Sequence, residues 1–127
     1  MSDYGAKIVT TGASVPAPKI STGGSKYDDE KPDMALLSSI ALEEVAKVMT
    51  FGKKKYAAHN WRKGIVYSRL LAAALRHVFA FLRGEDKDPE SGLSHLAHAM
   101  CCLMFCLEFT ITKPSLDDRY KEPNGST

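Results

Sequence analysis

From Leu93 to Leu107 the chain reads Leu-Ser-His-Leu-Ala-His-Ala-Met-Cys-Cys-Leu-Met-Phe-Cys-Leu, apolar at almost every position. Leu93, Leu96, Met100, Leu103 and Leu107 recur at helical spacing, and Ala97, Ala99, Cys101, Met104 and Phe105 carry the apolar surface round the sides. A helix apolar nearly all round must be covered on most sides. The run therefore predicts the inner helix of an all-α bundle, from about Ser91 to Thr110. No segment alternates as a strand would. A second helix is expected from Ser38 or Ser39, either of which is a suitable N-cap, to Gly52 or Tyr56. There Ala41, Glu44, Val48 and Phe51 form a stripe widened by Leu42, Val45 and Met49, and Glu43 stands four residues before Lys47 as an exposed pair. A further helix is expected from Ser68, as its cap, to Arg83, stopped by Gly84. Three helices cover such an inner helix poorly, which predicts a homo-oligomer, a dimer or a tetramer. With 127 residues the chain is one domain at most. Its expected parts are a flexible arm over 1–25, a helical domain over 26–111 and a tail over 112–127.

Several function classes are set aside on composition. A net charge of +2 is too small to argue for nucleic acid on its own. The most apolar stretch, Leu96 to Leu107, falls short of the ~20 residues that span a bilayer, and the N-terminus lacks the apolar run of a signal peptide. Cys101, Cys102 and Cys106 match neither a zinc spacing nor a disulfide framework and read as reduced, packed thiols. A soluble cytoplasmic protein is expected, with no membrane partner.

The chemistry concentrates around one turn. Of the four histidines, His77, His95 and His98 flank the acidic segment Gly84-Glu85-Asp86-Lys87-Asp88-Pro89-Glu90-Ser91-Gly92. His95 and His98 share a helix face, and neutral imidazoles at that spacing bind divalent ions. Hard ions such as Mg2+ and Mn2+ want carboxylates, so Glu85 and Asp88 join His95 and His98 as expected metal ligands. Glu44 is a further expected ligand, because a carboxylate within an apolar stripe is costly unless paired or bound. Glu43 or Glu44 is the expected general base, and His77 faces the same site across the hairpin. The segment from Lys53 to Lys63 is basic, aromatic and without an acid. It reads either as a phosphate clamp, in which Lys54, Lys55 and Arg76 offset polyphosphate charge and Tyr56, Asn60 or Trp61 touches the base, or as a nucleic-acid patch.

These residues also form an ordered set. Gly24-Ser25-Lys26-Tyr27-Asp28, Lys31-Pro32, Ala41-Leu42-Glu43-Glu44-Val45-Ala46, Phe51-Gly52, Lys54-Lys55-Tyr56, Asn60-Trp61, Arg76-His77, Gly84-Glu85 and Asp88 to Ala99 together resemble the phage dATP/dGTP diphosphohydrolases of MazZ type, relatives of the all-α MazG pyrophosphohydrolases. The resemblance implies Mg2+- or Mn2+-dependent hydrolysis of purine deoxynucleoside triphosphates to monophosphate and pyrophosphate, supplying dGMP for modified nucleotides in a phage. It also brings Lys26 and Tyr27 to the substrate. MazG enzymes carry paired acids in the patterns EExxE and ExxD. Here Lys47 follows Glu43-Glu44, and His95-Leu96-Ala97-His98 stands where ExxD would, so the ligands do not transfer. Two other readings follow from the residues alone. One is a His/Asp metal phosphohydrolase releasing triphosphate or phosphate, and the other a small helical phage protein binding DNA through its basic loop.

Overall fold

The computed structural model describes residues 23–25, 27 and 29–123. Most of the expected N-terminal arm, and Lys26 with it, lies outside the described residues. The chain divides into two compact units, and among the described residues every helix belongs to the second, Met34–Thr127. That unit holds three α-helices, α1 (Ser39–Tyr56), α2 (Tyr67–Leu82) and α3 (His95–Thr112). Short 3-10 turns lie at Met34–Leu36, Asn60–Lys63 and Pro114–Leu116. Among the described residues there is no strand, only an isolated antiparallel bridge between Lys87 and Ser94.

Ser38 caps α1, its side chain accepting the Ala41 N–H at 3.1 Å. The helix runs through Gly52 and places Lys53, Lys54 and Lys55 in its last turn, where the helix's partial negative charge favours cations. It stops at Ala57, whose φ of +96° breaks the helical path. The start of α2 differs from expectation. Val66 takes the cap position without a side-chain bond, and Ser68 gives both its N–H and its hydroxyl to Asp118. Gly84, at φ +103°, ends α2 as expected. Ser94 rather than Ser91 caps α3, accepting the Leu96 N–H at 3.1 Å.

Tyr67 and Leu70 of α2 meet Cys106 and Phe109 at the far end of α3, while His77 meets His95 at its near end. The two helices are therefore antiparallel. On another side of α3, Val45 and Val48 of α1 pack on Ala97 and Cys101. Phe105 touches both clusters, so α3 is the inner helix, as its composition requires. With 18 residues it is nevertheless long and apolar enough, by length and composition alone, to cross a membrane. The helix extends beyond the apolar run read from the sequence. Part of the expected tail packs on the helices: Leu116 lies against the Tyr67–Phe109 cluster, and Asp118 accepts from Ser68.

Candidate metal centre and adjoining cavity

The acidic turn is folded tightly enough to present its side chains to both helices. The Asp88 N–H donates to the Leu93 carbonyl at 2.8 Å, and the His95 N–H to the Asp86 carbonyl at 3.0 Å. Asp88 in turn accepts the Ser91 N–H at 2.9 Å. This puts His77 from α2, Asp88 from the turn and His95 from α3 together, each offering a ligand atom within 4.8 Å of the others. The Nδ1 atoms of His77 and His95 are 2.8 Å apart. The other nitrogen of His95, Nε2, lies 2.7 Å from Glu85 Oε1. His98 stacks on His77, with ring centroids 4.6 Å apart and planes at 12°. Its Nε2 lies 2.7 Å from Ser91 Oγ and 3.9 Å from Asp88 Oδ2.

These contacts define the protonation pattern. An ionised carboxylate can only accept, so a neutral His95 that bonds to Glu85 carries its proton on Nε2 and leaves Nδ1 bare. Burial holds His77 below the ordinary imidazole range, and the neighbouring His98 and His95 push it the same way. Burial also lowers His98, against the opposing pull of Asp88. Burial works against the Asp88 carboxylate, but hydrogen bonds from Ser91 outweigh it and hold its pKa below the usual value. Neutral rings beside an ionised carboxylate are the state in which such groups bind metal. The contact between Glu85 and the distal nitrogen of His95 is the arrangement that orients a metal-binding histidine. The donor set of two imidazole nitrogens and one carboxylate suits a first-row transition ion. Mg2+ favours oxygen throughout.

A cavity of about 550 Å3 adjoins this centre, and His98 is part of its wall. Its lining includes the apolar side chains of Met49, Phe51, Cys101 and Phe105, with cations at Lys53, Lys55 and Arg69. Among the described residues of that lining, Glu90 is the one carboxylate, and it pairs with Lys55 at 2.7 Å.

Of the residues expected at the site, His77, Glu85, Asp88, His95 and His98 are brought together, with Glu85 set behind His95. Lys55, Tyr56, Asn60 and Trp61 line the cavity. Trp61 is already occupied, stacked on Phe105 with centroids 4.3 Å apart and with the Arg62 guanidinium 4.4 Å from its ring centre. Tyr56 is the more open ring, 59% exposed. Glu44 lies outside the His–Asp group and is held by Lys47 at 2.7 Å, so the pair expected for Glu43 belongs to its neighbour. Glu43 and Lys54 sit together in a separate shallow depression. Arg76 is exposed and outside the cavity lining, and Tyr27 lies in the first unit. Two residues of the site went unnoticed in the sequence. Ser91 reads there as a helix start. Arg69 carried one signal, a seven-residue recurrence with Arg76 and Arg83 that marks a shared helix face.

Residues 21–119 match the family model described as "dATP/dGTP diphosphohydrolase, N-terminal". A curated relative, the "dATP/dGTP diphosphohydrolase" of Salmonella phage PMBT28, is 41% identical over 96 residues, covering 76% of this chain. The chain spans about a third of that relative's length, 33%. No solved structure matches it. With the family pattern extending from before α1 to beyond α3 and taking in the whole His–Asp centre, this chain belongs to the dATP/dGTP diphosphohydrolase N-terminal family.

Proposed function

We propose that the chain hydrolyses purine deoxynucleoside triphosphates, dGTP and dATP, to the monophosphate and pyrophosphate, with a divalent transition ion such as Mn2+ held by His77, His95 and Asp88. In a phage the product dGMP would feed the synthesis of modified deoxynucleotides. The observation that carries this reading is His98, which stacks on the ligand group and also lines the cavity. The relative's name supplies the substrate class.

A bound ion would polarise phosphate oxygens and lower the pKa of a coordinated water. The chain's own residues do the rest. Lys53, Lys55 and Arg69 offset the polyphosphate charge. The open Tyr56 ring stacks on the purine, and the Asn60 amide meets its edge. Glu90 takes the proton as the water oxygen attacks the α-phosphorus and the bond to the bridging oxygen breaks, releasing pyrophosphate. Lys55 frees Glu90 for that role by moving onto the phosphates. DNA binding is less well supported, because the basic segment is partly neutralised. Arg62 pairs with Glu108 at 2.9 Å and Lys55 with Glu90.

Turnover of the four deoxynucleoside triphosphates in Mn2+ and in Mg2+, with products resolved, tests the proposal. The expected result is dGMP and pyrophosphate from dGTP, faster in Mn2+. Release of triphosphate or of single phosphate would replace it with the His/Asp phosphohydrolase reading. His98→Ala should lower turnover by about 100-fold, whereas Glu44→Ala should leave it nearly unchanged.

A further inference from the structure

His59 stands outside the proposed reaction, yet the chain around it is arranged to hold it. It is exposed, lines the cavity beside Asn60, and caps the Asn60–Lys63 turn with a φ of +63°. Among the described residues, Ala57 and His59 are the two non-glycine residues with positive φ, and both stand in the cavity wall. Backbone of this kind gathers where ligands are clamped. The imidazole is fixed as well. Arg62 donates its backbone N–H to the His59 carbonyl at 3.0 Å and its Nε–H to His59 Nδ1, also at 3.0 Å. Arg62 is itself held from two more sides. Its Nη1 pairs with Glu108 of α3 at 2.9 Å, and its guanidinium lies over the Trp61 ring. A guanidinium only donates. Nδ1 of His59 is therefore bare, and the N–H of the ring is on Nε2.

We propose that Nε2–H of His59 donates to N7 of the substrate's purine and so sets the base preference of the site. The assignment rests on the proposed hydrolysis of purine deoxynucleoside triphosphates and adds the atom by which the base is recognised. Position supports it. His98 marks the end of the cavity beside the His–Asp centre. Trp61 stacks on Phe105, seven residues further along α3 and so roughly 10 Å along its axis. The turn that begins at His59 is therefore set back from the ion site by about the reach of a nucleotide from phosphate to base. Charge points the same way. Glu108 already answers the Arg62 cation, so this wall presents a neutral donor, which suits a ring nitrogen better than a phosphate. The chemistry of the bases completes the match. N7 is an acceptor that guanine and adenine share and that no pyrimidine carries. One fixed donor to N7 thus admits both purines. Their 6-substituents differ, an acceptor in guanine and a donor in adenine. The Asn60 amide in the same wall can turn either its nitrogen or its oxygen to that position.

Hydrolysis of dGTP, dCTP and 7-deaza-dGTP, in which a C–H replaces N7, tests the proposal with the full chain in Mn2+. In the wild type, kcat/KM should be about tenfold lower for 7-deaza-dGTP than for dGTP, the worth of one hydrogen bond. His59→Gly accepts the positive φ without strain. It should bring that ratio close to one and narrow the preference for dGTP over dCTP by about tenfold. Arg62→Leu keeps the imidazole but removes the bond that orients it, and the ratio should shrink by about threefold. Damage to the fold alone would lower both purine substrates equally and leave the ratio as it was. Equal kcat/KM for dGTP and 7-deaza-dGTP in the wild type, or a ratio that His59→Gly leaves unchanged, would overturn the His59 assignment while the reaction stands. Hydrolysis of none of the triphosphates would overturn the reaction and this assignment with it.

Discussion

Glu85 shows how one residue's role depends on which atom it meets. As a carboxylate in an acidic turn it reads as a direct ligand, yet it lies on Nε2 of His95, the nitrogen turned away from His77. From there it can set the ring's tautomer and angle from the side opposite His77. Glu85→Gln keeps the shape but loses the charge, and its amide can turn either an acceptor or a donor to that ring. Metal affinity should fall by about 10–100-fold with little change in unfolding temperature. Mn2+ titration followed by electron paramagnetic resonance reads this directly, and unchanged affinity would reassign Glu85 to the surface. Ala57 carries a different kind of information. Its φ of +96° with ψ of +152° is a conformation that residues with a Cβ adopt only under strain, at ~1–3 kcal/mol. Ala57 lines the cavity wall, so the strain is stored beside the site. Glycine relieves it at an unfolded-state entropy cost of ~0.5–1 kcal/mol. Ala57→Gly should therefore stabilise the protein by about 1 kcal/mol in denaturant unfolding, and a loss of stability would remove the strain argument.

At the scale of elements, the sequence located the helices and some, but not all, of the groups that end them. The apolar run of α3 and the stripe of Val45, Val48 and Met49 are local patterns, and Ser38 and Gly84 are local signals. All of these were legible. The start of α2 was not, because its capping group, Asp118, lies 50 residues away. The start of α3 was misplaced for a related reason. Ser91 has the chemistry of a cap, but the turn uses it for Asp88 and His98, and Ser94 takes the helix. The same distinction divides the site. The histidine spacing and the acidic turn could be read in order along the chain, whereas the cavity is assembled from α1, the following loop, α2 and α3. Arg69 joins it only through tertiary packing. The Glu44 expectation rested on its place in a stripe, and a neighbouring lysine three residues on answers that observation. Asp118→Ala tests the long-range cap. It leaves the first N–H groups of α2 without that carboxylate, and stability should drop by about 1 kcal/mol. Amide exchange should speed up at Ser68 in particular, and an unchanged exchange rate there would show that the cap contributes nothing.

For the whole molecule, the half-buried His77 and His98 tie stability to pH. His77 and His98 both titrate below the ordinary 6.5 in the fold, chiefly through burial. Between their depressed values and 6.5, the unfolded chain holds protons that the folded chain does not. Stability must then rise with pH across that window. The contribution is fully present above about 6.5 and is lost as the pH falls through the window. Asp88 acts in the same sense at lower pH. Its folded value lies below 3.8, so its share is present above that and disappears as the pH falls further. Thermal unfolding of chelator-treated protein should therefore show a falling midpoint from pH 7.5 to 5. With Mn2+ in excess the fall should be steeper, because an ion that binds only the folded, neutral-ring state adds stability that protons remove by competition. Two parallel curves, offset but equally steep, would mean that the ion binds elsewhere. A midpoint that rose on acidification would mean that His77 and His98 hold their protons more tightly in the fold than in the unfolded chain, against the direction that burial sets.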